Sequence, residues 1–125
     1  MILDTNALSA AADGEPAAAE ILTRAARIAL PVIVLGEYRL GIARSRKREA
    51  YEAWLRKWVA TVEVLDIHEE TTHYYAEIGL ELKTLGRPIP ANDLWIAALC
   101  REHSLSLLSR DRHFDAVPGI RRVDW

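Results

Sequence analysis

At 125 residues the chain is the size of one domain with a real core, and half its residues are hydrophobic against 27% charged. The formal net charge of -2 supplies no global basic field, so a nucleic-acid partner would have to be held by a local patch. The single Cys100 excludes an internal disulfide and a cysteine-built zinc site, no apolar run is long enough to span a bilayer, and Asp4 leaves no room for a secretory apolar segment, so the expectation is a cytoplasmic protein without membrane contact.

Met1-Ile2-Leu3 reads as a short strand ending at Asp4. Asp13-Gly14-Glu15-Pro16 is a turn with proline placed to open a helix, whose stripe is Ala18, Ile21, Leu22 and Ala25. The run from Ile28 to Val34 is β-branched and interrupted by Pro31, which suits neither a central strand nor a helix interior. It therefore splits into a strand to about Leu30 and a helix opened by Pro31, with Val34, Glu37, Tyr38 and Gly41 on one face. That places an acid, Glu37, on an otherwise apolar stripe. Arg44 to Lys57 is the most basic segment, and its other face carries Tyr51, Trp54, Leu55, Trp58 and Val59 at helical spacing. Val62 to Ile67 alternates as a strand, and Glu69 to Leu85 is a long helix with Tyr75, Ile78, Gly79, Leu82 and Leu85 inward, closed by Gly86. A helix then begins at Asn92, an N-cap residue, with Asp93 in its first turn on the face of Ala97 and Cys100. Leu105 to Leu108 is a buried strand leading into Ser109-Arg110-Asp111, and Pro118-Gly119 turns into a last strand, Ile120 to Trp125. Strands alternating with helices predict an α/β fold, a three-layer sandwich around a central parallel sheet of about five strands.

In such a sheet all strand carboxyl ends share one edge, and ligands bind there at the topological switch point. Asp4 and Asp111 each follow a strand, Glu37 and Asp93 lie in early helical turns near that edge, and Asp115 lies a turn beyond Asp111. Acids from separate segments converging on one rim offer the hard oxygen ligands that Mg²⁺ or Mn²⁺ takes, with room for water and a substrate phosphate. Without a cation, two carboxylates about 4 Å apart repel by roughly 4 kcal/mol at an effective dielectric near 20. The plain alternative for Asp93 is a helix cap and nothing more. Cys100 reads as core. His68, His73, His103 and His113 show no metal-binding pairing and read as surface or interface residues.

Four blocks in register resemble the PIN-domain ribonucleases, and more narrowly the VapC-type toxins of bacterial toxin–antitoxin pairs. They are Leu3-Asp4-Thr5-Asn6-Ala7-Leu8-Ser9, Gly36-Glu37 before Leu40-Gly41, Asn92-Asp93 through Ile96-Ala97-Ala98, and Ser109-Arg110-Asp111-Arg112-His113-Phe114 with Val117-Pro118-Gly119. The resemblance spans the whole chain and implies one PIN domain over residues 1–125. It implies a Mg²⁺- or Mn²⁺-dependent endoribonuclease with Asp4, Glu37, Asp93 and Asp111 as its acidic quartet, of which Asp4, Asp93 and Asp111 hold metal. It implies a homodimer and a small VapB-type antitoxin whose tail plugs the active site. Asn6, Ser109 and Asp115 stand as supporting residues around the acids, Asn6 by hydrogen bonding within the cluster. Arg44, Arg46, Lys47 and Arg48 are the candidates for RNA phosphates, against the plainer reading of a solvated helix face. The other functions weighed are a non-catalytic PIN scaffold that binds RNA or protein, and a Mg²⁺-dependent phospho-aspartyl protein. The latter normally needs a late lysine, and none follows Lys83.

Overall fold

The computed structural model describes residues 1–125. Five strands, β1 (Ile2–Leu3), β2 (Ala29–Pro31), β3 (Glu63–Leu65), β4 (Leu107–Leu108) and β5 (Arg122–Val123), form one sheet in the order β3-β2-β1-β4-β5. Every neighbouring pair is parallel, with Ile2 beside both Ala29 and Leu107. Around it lie α1 (Thr5–Ala12), α2 (Pro16–Arg24), α3 (Val32–Ile42), α4 (Arg48–Val59), α5 (Glu69–Thr84) and α6 (Ala91–His103), with a 3-10 helix at Arg112–Ala116. The central strands carry no polar alternation: Ile2, Leu3, Ala29, Leu30, Leu107 and Leu108 are all 0% exposed. That is what a sheet covered on both faces requires. No helix is long and apolar enough to cross a membrane.

The chain enters at the middle of the sheet, builds outward through β2 and β3, then crosses to the other side for β4 and β5. Strand order therefore reverses between β1 and β4, and the carboxyl ends of these two strands open the crevice where an α/β sheet binds its ligands. Pro31 serves both roles suggested by the sequence, as the last residue of β2, beside Leu65, and as the N-cap of α3. Its fixed φ of -61° suits the turn from strand to helix.

The α5–α6 hairpin sets the position of Asp93. Gly86, with φ +68°, turns the chain after α5, and Gly79 admits α6 at close range: a Cβ there would stand 3.3 Å from Leu94 Cδ2. The rings of Tyr75 and Trp95 meet with centroids 3.9 Å apart one turn away. The strands are shorter than the sequence suggests, because only a few residues of each run reach a neighbour to pair with. Leu85, expected inward, is 56% exposed, since it falls at the C-cap as the helix ends. Arg44 to Lys47 are not helical; they form the turn from α3 into α4.

Candidate active site

Asp4 ends β1 and caps α1, its Oδ1 accepting the Ala7 backbone N–H at 2.8 Å. It is only 5% exposed, and burial pushes its pKa up; the Ser109 hydroxyl and the Ala7 N–H oppose that rise, while Asp111 adds to it. Ser109, fully buried where β4 ends, also accepts the Asp111 backbone N–H at 3.0 Å. It thus links the acids that follow the two central strands. Asp111 caps the 3-10 helix by accepting the His113 N–H at 3.2 Å.

Glu37 reaches the crevice from the second turn of α3. Its Oε1 accepts a hydrogen bond from the Asn92 amide at 2.6 Å and its Oε2 one from the Thr5 hydroxyl. Three elements, α1, α3 and α6, therefore hold one carboxylate in place. Asp93, with 25% of its side chain exposed, sits in the first turn of α6. Burial raises its pKa most, and the negative charges of Asp111, Glu37 and Asp4 raise it further against the pull of His113. The four acids named from the sequence thus share one electrostatic neighbourhood.

His113 stands among them. Its Nε2 lies 3.0 Å from Asp93 Oδ2 and its Nδ1 lies 2.8 Å from Asp111 Oδ1. One ligand atom each from Asp93, Asp111 and His113 lie within 4.8 Å of one another. Two carboxylates and an imidazole at this spacing fit a divalent cation, and the charges of Asp4 and Glu37 bear on the same Asp93.

Sequence reasoning missed three contributors. Thr5 and Asn92 orient Glu37, and His113 bridges two acids; the signals were the hydroxyl beside Asp4 and the imidazole two residues after Asp111. Asn92 is not the N-cap: Pro90 is, and Asn92 lies inside the first turn with its amide turned to Glu37. Asn6 is exposed and its side chain makes no hydrogen bond with the acids; only its backbone N–H bears on Asp4. Asp115 is taken by Arg122, whose Nε and Nη2 donate to it at 2.7 and 3.1 Å. The hydrogen bond from that guanidinium explains a carboxyl pKa below the usual range at Asp115, which Arg122 engages at both oxygens. Arg44, Arg46 and Lys47 are exposed on the turn beyond α3, while Arg48 faces a separate cavity of about 530 Å³ shared with Arg39, Arg56, Glu49 and Glu52.

Acids from four segments and a histidine lie at the switch point of a parallel sheet, and the chain belongs to the PIN-domain family, whose profile matches residues 1–120. Within that family it falls among the VapC ribonucleases. It is 30% identical to ribonuclease VapC2 of Rickettsia felis, over 99% of this chain and 96% of that one. It is 28% identical to ribonuclease VapC5 of Mycobacterium tuberculosis, over 98% and 91%. The crystal structure of VapBC2 from Rickettsia felis, bound to a DNA fragment from their promoter, contains a chain that superposes with a TM-score of 0.86 at 29% identity, covering 99% of this chain and 97% of that chain.

Proposed function

We propose that this protein is an endoribonuclease toxin that hydrolyses RNA phosphodiester bonds with Mg²⁺ or Mn²⁺ and is restrained by a small VapB-type antitoxin. The observation that carries this reading is the meeting of Asp4, Glu37, Asp93 and Asp111 at the switch point, with Asp93 feeling the charge of all three others. Asp4, Asp93 and Asp111 would hold the ion, with His113 a further ligand from the 3-10 helix. When bound, the ion lowers the pKa of a water and withdraws charge from the phosphoryl oxygens.

The side chains have separable tasks. Glu37, held by Thr5 and Asn92, is fixed in orientation and accepts a proton from the attacking water. Ser109 holds the Asp4 carboxyl group and the Asp111 backbone in register, as outer-shell partners of metal ligands do. The exposed cations Arg44, Arg46 and Lys47 bind the phosphate backbone without reading its sequence. The protein acts in the cytoplasm as a homodimer, and the antitoxin tail covers the acids.

Labelled RNA incubated with the purified protein in Mg²⁺, Mn²⁺ or EDTA tests this. Cleavage should require the ion and disappear in Asp4→Asn and Asp93→Asn, and adding the antitoxin should suppress it. Cleavage that persists in EDTA, or in both variants, refutes the assignment; RNA binding without cleavage under any ion would make the chain a scaffold.

A further inference from the structure

A small cavity lies further along the two helices, α1 and α3, that carry Thr5 and Glu37. The Thr5–Glu37 hydrogen bond ties α1 to α3 beside the other carboxylates. One turn further out come Ser9 on α1 and Gly41 on α3, and beyond the helix ends lie Asp13, the C-cap of α1, and Ser45 in the turn after α3. These four residues, with Tyr38, Ile42 and Tyr51, line a cavity of about 190 Å³.

Its lining is that of a binding site. Gly41 leaves the space between the helices open, since a Cβ there would meet nothing within 4 Å. Tyr38 is 3% exposed, yet its hydroxyl has no hydrogen-bond partner in the protein. Such a buried group calls for a ligand or water. Asp13 Oδ1 accepts the Tyr51 hydroxyl at 2.8 Å, and no protein donor reaches its other oxygen. The turn that carries Ser45 also carries the exposed Arg44, Arg46 and Lys47. Acids thus stand at the near end, cations at the far end, and hydroxyl groups between.

We propose that this cavity is a base subsite of the ribonuclease, holding one nucleobase beside the phosphodiester at the acids and favouring bases with an exocyclic amine over uracil. The inference rests on the function proposed above. A carboxylate accepts from the N4 amine of cytosine and is repelled by the O4 carbonyl that uracil places there. The phosphate on the far side of the held nucleotide then meets the cations of the α3–α4 turn.

Fluorescence anisotropy in EDTA, with short oligocytidylate and oligouridylate, tests the subsite apart from catalysis. The intact protein should bind the cytidine strand about tenfold more tightly. Asp13→Asn should abolish or invert that preference, because its amide can donate to O4. Gly41→Leu, at a position where a Cβ meets nothing within 4 Å, fills the cavity and should weaken binding of both strands about tenfold. Melting temperatures confirm that both variants fold. Equal affinity for the two strands, or unchanged binding by both variants, overturns the subsite while leaving the ribonuclease intact. Loss of antitoxin binding in Gly41→Leu with RNA binding retained overturns it too, since the cavity would then be the antitoxin's. If no form of the protein binds RNA, the ribonuclease reading itself falls.

Discussion

Replacing Asp93 by Asn should abolish cleavage and yet make the metal-free protein more stable. One oxygen each of Asp93 and Asp111 lie within 4.8 Å, which at an effective dielectric of 20 is a repulsion of about 3.5 kcal/mol. Asp111 is 44% exposed and Asp93 25% exposed, so water screens the pair and roughly half survives, about 1.5–2 kcal/mol. Against this, Asp93 loses the attraction of His113, 3.0 Å away, and its favourable place at the positive end of α6, together about 0.5–1 kcal/mol. The net gain is about 1 kcal/mol, or roughly 4 °C in melting temperature for a chain of this size. Differential scanning fluorimetry in EDTA at pH 8 measures it. The pH dependence has a definite sign. The Asp93 pKa is raised in the fold, so the native state holds its proton longer than the unfolded chain, and stability falls as pH rises from the ordinary value of 3.8 through the raised one. The advantage of the variant should therefore shrink as the pH is lowered toward 4. Saturating Mn²⁺ should invert the order, since ligand at a hundred times its Kd adds about 2.7 kcal/mol to the wild type and far less to the variant. A variant that melts at or below the wild-type temperature in EDTA would show that the acids do not strain one another.

Arg122 has 12% of its side chain exposed and holds Asp115, Asp124 and the Ser109 carbonyl together, tying the 3-10 helix to the end of β4. Arg122→Ala should lower stability by about 2 kcal/mol and weaken Mn²⁺ binding, read by a metal titration of melting temperature; unchanged metal affinity would show that the clamp does not position Asp111. Burial, with Tyr51, Asp13 and Glu52 nearby, pushes the Tyr38 phenol up to about 12. Its proton is held more tightly in the native state, so roughly 2–3 kcal/mol of stability should be lost between pH 10 and pH 12. Tyr38→Phe should flatten that loss in denaturant melts. Replacing Arg46, Lys47 and Arg48 together should weaken RNA binding and reduce the slope of log K against log salt by about one to two units; an unchanged slope would mark these residues as a solvated face.

Much was legible in the chain because it depends on local rules. Pro31 splits a β-branched run into strand and helix wherever the rest of the protein lies, and an aspartate following a short apolar strand points to the carboxyl edge of a parallel sheet. The order of blocks around Asp4, Glu37, Asp93 and Asp111 was enough to name the family. What tertiary structure decided is the direction and company of each side chain. Whether Asn92 caps a helix or serves Glu37 depends on where α3 lies, and the two residues are 55 positions apart. Asp115 could face the acids or Arg122, and only β5, paired alongside β4, brings the guanidinium that claims it. His113 shows no ligand spacing in sequence because, although Asp111 caps its own 3-10 helix, its other partner, Asp93, comes from α6. Periodicity records which face of an element is buried. It says nothing of which distant group waits there, and in this protein the site is made of such meetings.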